Sequence, residues 1–182
     1  MHALRISLAA LALALALPAV AALKPGERAP DFKAQAYLAG KPFTFDLAKA
    51  RRSGPVVVYF FPAAHTPGCN LEAHLFSQAI DDFRRVGATV IGLSAGNTDQ
   101  LADFSRETEH CGGRFPVAAD PGASIARSYD ALMDSRPDRS SRTSYVVTPE
   151  GHVAAVHAAA NPNLHVKSML DAVKALGARA GK

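Results

Sequence analysis

Residues 55–69 read PVVVYFFPAAHTPGC, and residues 70–87 continue NLEAHLFSQAIDDFRRVG. Pro55 to Phe61 is an unbroken β-branched and aromatic run bounded by Gly54 and Pro62. A run without polar alternation is the pattern of a strand buried on both faces, as in the middle of a parallel or mixed sheet. From Cys69 onward, Leu71, Leu75, Ala79 and Phe83 recur every four residues, with Phe76 and Ile80 alongside. His74, Gln78, Asp81, Asp82 and Arg85 take the other side. This spacing predicts an amphipathic helix ending near Gly87.

Working outward, Ala88 to Leu93 reads as the next buried strand and Thr98 to His110 as a helix closed by Cys111-Gly112-Gly113. Val117 to Ala119 is a short strand. Asp120-Pro121 supplies a cap and a proline at the first helical position, which predicts a helix through Leu132. Met133 to Ser141 reads as a polar loop. Ser144 to Thr148, the turn Pro149-Glu150-Gly151 and His152 to His157 form a hairpin. Asn161-Pro162 repeats the cap-plus-proline signal before a last amphipathic helix, Leu164 to Leu176. Leu23 to Ala50 carries little pattern beyond Phe43-Thr44-Phe45 and is expected to be an extension with short strands. The element order is α/β, with right-handed first crossovers and helices on both faces of the sheet.

The chain has 182 residues, 48% hydrophobic and 20% charged, with a formal charge of +4. The positive excess is mild and lacks lysine-arginine blocks, so nucleic-acid binding has no support in the composition. At the start, Arg5 precedes an apolar run from Ile6 to Leu17, Pro18 breaks it, and Ala19-Val20-Ala21 offers the small residues of a signal-peptidase site. Residues 1–21 are therefore expected to be an export signal and residues 22–182 a single domain, periplasmic and not membrane-bound after cleavage. Only two cysteines are present, Cys69 and Cys111, too few to read as a disulfide scaffold.

The turn PAAHTPG puts Cys69 in the first turn of its helix, beside unpaired backbone N–H groups and the positive end of the helix dipole. A thiolate is favoured there. Thr66, three residues earlier, is placed to aim its hydroxyl at the sulfur. Gly68 lets the backbone approach closely.

The run YFFPAAHTPGCNLEAH resembles the active-site segment of peroxiredoxins, in which proline, threonine and cysteine are spaced as Pro62, Thr66 and Cys69 are here. Thr-Pro-Gly-Cys with Glu72 three residues on is most similar to the bacterioferritin-comigratory, or Q-type, branch. The likeness runs from Pro30-Asp31-Phe32 through ATVIGLSAG to RTSYVVTPEG and the final helix. It implies a thioredoxin-like fold with a central mixed sheet flanked by helices. The implied activity is a thiol-specific peroxidase that reduces hydrogen peroxide and organic hydroperoxides through a cysteine sulfenic acid. Cys69 is the implied nucleophile. Thr66, the Cys69 amide and Arg142, which stands just before SYVVT, are the implied donors to the peroxide oxygens. Pro62 is implied to shield the sulfur from bulk water. Glu72, on the helix face of Cys69, either orders Arg142 or is simply a first-turn carboxylate favoured by the dipole. No cofactor and no metal are implied. The implied partners are the peroxide and a thioredoxin-like or small-thiol reductant, with the chain a monomer or weak homodimer.

Many Q-type relatives carry a second cysteine five residues after the first, and here that position is His74. Cys111 is the only other candidate resolving thiol. If the helix from Thr98 runs to His110, Cys111 lies at its far end, roughly 20 Å from Cys69 at about 1.5 Å per residue. A disulfide needs Cα atoms within about 7 Å, so resolution by Cys111 demands substantial local unfolding, and an external thiol or a second subunit is favoured over it. His65 and His74 are not expected to converge with Cys69 on a metal. His110, His152, His157 and His165 read as surface residues. Two other classes compete. An envelope thiol-disulfide oxidoreductase would want C-x-x-C, but Thr66 holds the first position. A redox-sensing or copper-carrying module would want two cysteines and a histidine together.

Overall fold

The computed structural model describes residues 22–180; the expected export signal, residues 1–21, lies outside them. In chain order the elements are β1 (Lys33–Leu38), β2 (Lys41–Asp46), α1 (Leu47–Ala50), β3 (Val56–Phe60), α2 (Pro67–Arg85), β4 (Thr89–Ser94), α3 (Leu101–Arg106), β5 (Val117–Ala119), α4 (Ser124–Ser128), β6 (Leu132–Met133), β7 (Arg136–Ser140), β8 (Thr143–Val147), β9 (Val153–Ala158) and α5 (His165–Ala180). Seven strands form one mixed sheet in the order β2-β1-β5-β4-β3-β8-β9. β3, β4 and β5 run parallel, and the flanking pairs are antiparallel.

All five residues of β3 are buried, which is why this segment has no polar alternation. Val56, Val58 and Phe60 join one core with Leu47, Ile91, Ala126 and Tyr129, under α1 and α4. Val57 and Tyr59 face the other core, with Phe76, Phe104, Met169 and Val173 from α2, α3 and α5. Period-two alternation along a doubly covered strand thus divides the interior into two cores. On the α2 side, Tyr59 stacks on Phe76 with ring centroids 4.4 Å apart, fixing the helix over the strand that leads into it.

Several elements differ from expectation, each for a local reason. The buried face of α2 is Cys69, Glu72, Ala73, Phe76, Ser77, Ile80 and Phe83, while Leu71 is exposed. A strict four-residue ladder drifts about 40° per step, whereas alternating steps of four and three stay on one face. The face therefore rotates away from Leu71 and brings Cys69 and Glu72 inward. The expected helix from Thr98 to His110 shrinks to a short 3₁₀ turn and α3, which ends at Arg106. Beyond it the chain folds into turns in which the amides of His110 and Gly112 both bond Glu107 O.

The helix expected from Pro121 begins only at Ser124, because Gly122 and Ala123 hold left-handed φ of +79° and +56°. Asp120 still caps it from a distance, accepting from the amides of Ile125 (3.0 Å) and Ala126 (2.8 Å). Most of the expected loop from Met133 to Ser141 is a small hairpin, β6 with β7. The N-terminal extension is the β1–β2 hairpin at one sheet edge.

Candidate active site

Helix α2 opens on Thr66, extended at φ −105°, ψ 145°, with Pro67 in the first turn. The Asn70 amide makes the bond back to Thr66 O, 2.8 Å. Proline has no N–H, so Gly68 and Cys69 carry the donors at the start of the helix. Cys69 is buried, at the point where these donors and the helix dipole concentrate positive potential.

Arg142, in the link from β7 to β8, reaches this point. Its Nη2 lies 3.5 Å from Cys69 Sγ. Nη1 donates to Glu72 Oε2 and to Gly68 O, the latter at 3.3 Å, and Nε donates to Ala160 O at 2.9 Å. Gly68 has to be small here, since a Cβ would stand 2.9 Å from Arg142 Nη2. Burial opposes the charge on Arg142, but Glu72 and Cys69 outweigh it, and the guanidinium is held more firmly protonated than usual.

Pro62 and Met133 line two neighbouring open clefts. One, of about 400 Å³, is lined by Pro62, Met133, Ser141, Arg142 and Ala159 among others. The second, about 300 Å³, includes Pro62, Ala63, Thr66, Arg136 and Arg139. Arg139 therefore lines the neighbouring cleft, and Arg142 is the arginine beside the sulfur. The Thr66 hydroxyl does not aim its proton at Cys69; it donates to Ala63 O at 3.1 Å and so ties the turn to itself.

Behind Arg142 lies a layer that the sequence reading missed. His165, expected at the surface, is fully buried. Its Nε2 is 3.0 Å from Ala159 O, which can only accept, so this nitrogen carries the proton. Nδ1 then accepts from Ser144 Oγ at 2.8 Å and stands 3.5 Å from Glu72 Oε1. The signal was present in the sequence: His165, Met169 and Val173 are four apart and form the buried face of α5.

The remaining expectations concern Cys111 and the histidines. Because α3 is short, Cys111 is not carried off by a long helix. It is buried, and its carbonyl accepts from Ser77 Oγ of α2 at 3.1 Å. The ring of neighbouring His110 is 5.3 Å from that of His65, four residues ahead of Cys69. His110, too, is largely buried, contrary to its surface reading. His65 meets His110 and Glu107, whereas His74 lies apart and pairs with Gln78.

Residues 25–156 match the AhpC/TSA family. A putative peroxiredoxin of Mycobacterium tuberculosis is 31% identical over 136 residues, covering 72% of this chain and 82% of the relative. Chloroplastic peroxiredoxin Q of Sedum lineare is 28% identical over 138 residues, 75% of this chain and 71% of that one. The reduced 2-Cys peroxiredoxin of Plasmodium vivax has the same fold, with a TM-score of 0.76 at 21% identity over 87% of this chain and 99% of that one. A helix-start cysteine on a thioredoxin-like sheet, within these relationships, defines a thiol-dependent peroxidase. The chain belongs to the AhpC/TSA family, in the Q-type, bacterioferritin-comigratory branch of the peroxiredoxins.

The buried layer has a pH signature. Burial, aided by His157 and Arg142 and opposed by Ala159 O, holds His165 down at about 4 against its ordinary 6.5. The unfolded chain takes up a proton that the folded protein refuses, so this contribution is intact above 6.5 and lost as the pH falls toward about 4. Glu72 works the other way. Burial pushes its carboxyl up from 4.5 to about 7 despite Arg142. Its contribution is present below 4.5 and lost as the pH rises through about 7. Urea unfolding of the wild type and of His165→Gln across this range should show the wild type losing stability relative to the variant on acidification. A difference that stayed flat with pH would show that His165 is not held neutral by the fold.

Proposed function

We propose that the chain reduces hydrogen peroxide and organic hydroperoxides through Cys69, with Arg142 as the fixed cation at the reacting centre. The observation that carries this reading is the guanidinium 3.5 Å from the sulfur, clamped from Glu72, Gly68 and Ala160. The Cys69 thiolate attacks the nearer peroxide oxygen. An S–O bond forms as the O–O bond breaks, the departing oxygen takes the electron pair and the proton of the attacked oxygen and leaves as alcohol or water, and the sulfenate takes a proton from solvent to become the sulfenic acid. Negative charge passes from sulfur to the leaving oxygen, and a donor fixed beforehand stabilises it without reorganising. Thr66, whose proton is engaged by Ala63 O, keeps lone pairs with which to accept the hydroperoxide O–H. Pro62, which borders both clefts, limits access of bulk water.

Cys69→Ser should abolish peroxide reduction with the fold intact. Arg142→Ala should slow the oxidation step at least about tenfold, followed by trapping the sulfenic acid at timed intervals. If Arg139→Ala had the larger effect, the assignment of the arginine would be wrong.

Recycling is proposed to rest mainly on an external thiol, thioredoxin-like or small. That thiol attacks the sulfenic acid, releases water and leaves a mixed disulfide, which a second thiol resolves to return the Cys69 thiolate. His74 stands where a resolving cysteine would be closest. Burial, with Glu107 in addition, pushes the Cys111 thiol well above its usual range, which makes it a poor nucleophile while the fold is closed. The bond from Ser77 to Cys111 O sets Cys111 against the helix that carries Cys69; a second route starts there, in which that bond breaks, the turn after α3 opens and Cys111 reaches Cys69. After one equivalent of peroxide without added thiol, mass spectrometry should show mostly sulfenic acid and its further oxidation products. Rapid, near-complete Cys69–Cys111 disulfide would replace the external-thiol reading with the second route.

Export to the periplasm is proposed from Arg5, the apolar run to Leu17 and Ala19-Val20-Ala21. Mature protein should begin near Ala22, as N-terminal sequencing would report. An intact Met1 on membrane-bound protein would end this reading.

A further inference from the structure

We propose that His65, Glu107 and His110 form a binding site for a divalent transition metal of borderline softness, with zinc as the representative ion. The site is separate from the peroxide-reacting atoms. Glu107 Oε2 lies 2.9 Å from His65 Nε2 and 3.0 Å from His110 Nδ1, and the three ligand atoms all fall within 4.8 Å of one another. Two imidazole nitrogens and one carboxylate oxygen are a donor set that zinc accepts, with further positions open to solvent. A tetrahedral ion with bonds of about 2.0–2.1 Å sets its ligands roughly 3.3 Å apart. The two edges that meet at Glu107 reach that spacing by opening a few tenths of an ångström, and the two imidazole nitrogens stand within 4.8 Å of each other.

Two features separate this cluster from an ordinary set of hydrogen bonds. His65 Nδ1 is 2.9 Å from Gln100 Oε1. With the amide oxygen accepting, Nδ1 holds the proton and Nε2 turns its lone pair toward Glu107, the arrangement that an outer carbonyl imposes on metal-binding histidines. His110 Nδ1, although 3.0 Å from the carboxylate, is out of line for a hydrogen bond and is buried without a partner. One ring nitrogen from each histidine thus stands within 3.0 Å of the same carboxylate oxygen, and that of His110 has no hydrogen bond to give up to an ion.

The surroundings hold these groups in place. His65 occupies a left-handed φ of +59°, uncommon for a side chain of this size and retained where neighbouring structure dictates it. Phe104 packs edge-on against the His65 ring, centroids 5.4 Å apart, and against the His110 ring at 4.8 Å, forming an apolar wall. The backbone of Glu107 is pinned by its own bond to Asp103 O and by the amides of His110 and Gly112. His65 keeps about a third of its side chain exposed, which gives an ion a path in and leaves water as the remaining ligand. A bound ion would join the turn that leads into Cys69 to the turn that carries Cys111, raising the cost of the opening by which the two thiols could meet.

Calorimetric titration of the reduced full chain with zinc chloride alone tests this. A parallel titration of Cys69→Ser/Cys111→Ser removes thiolate ligands. We expect one equivalent bound in both proteins, with a dissociation constant at or below about 10 μM. His65→Ala and Glu107→Gln should each weaken it at least about tenfold, while His74→Ala leaves it unchanged. Both weakening substitutions are at half-exposed positions, and circular dichroism verifies the fold. X-ray absorption of the zinc-loaded double-cysteine variant should show only nitrogen and oxygen ligands, with imidazole among them. Failure to saturate, binding indifferent to His65 and Glu107, or binding lost with the cysteines would each overturn the proposal. None of these readouts depends on peroxidase activity.

Discussion

The ion pair between Glu72 and Arg142 joins the parts of this molecule that have to act together. Glu72 is wholly buried and the Arg142 side chain is nearly so. Removing two charges from water costs several kcal/mol per ion, and their attraction repays this only when the remaining donors and acceptors are satisfied. Arg142 meets that condition through Gly68 O, Ala160 O and the Cys69 sulfur. From the loop before β8, Arg142 thereby holds two other segments, the first turn of α2 with Gly68 and Cys69 and the link after β9 with Ala160. The pair adds little net stability, but it holds these segments in one arrangement because any other would leave a buried charge unpaired.

That constraint explains why the last helix begins with a histidine. A second cation beside Arg142 would face both desolvation and like-charge repulsion. Ser144 and Ala159 between them engage both nitrogens of His165, which satisfies a neutral ring and leaves no place for another proton. The surface reading of His165 treated it as an isolated polar residue. Its place in the four-residue series with Met169 and Val173 carried more information than its polarity.

The parts legible from sequence were those in which a local pattern and burial demand the same thing. The run from Val56 to Phe60 has only one way to be buried on both faces, and Thr66-Pro67-Gly68 starts a helix whatever packs against it. The Q-type resemblance gave the sheet architecture and pointed to Arg142. The segments after α3 and around α4 were misread because capping signals are local and their outcome is not. Asp120 does cap a helix, but Gly122 and Ala123 turn left-handed first, which delays the start. The helix to His110 failed for a similar reason. After Phe104 the chain turns and brings Cys111 and Phe115 into the same core. No periodicity within residues 98–110 contains that information, so the grouping of His65 with Glu107 and His110 was out of reach.

The same geometry makes one guanidinium serve two acidic groups. Arg142 faces Glu72 on one nitrogen and Cys69 on the other, with solvent largely excluded from both. If Glu72 is ionised, much of the arginine's field is spent on the carboxylate. If it is protonated, that field is available to the sulfur. Burial has already pushed Glu72 up to about 7, and Oε1 has no hydrogen-bond partner, so the neutral acid is not far in free energy from the carboxylate. The carboxyl that holds the arginine in position is therefore also the group best able to give up its claim on the arginine's charge. Positioning and electrostatic strength at Cys69 are set by the same buried side chain, and a substitution at Glu72 cannot change one without the other.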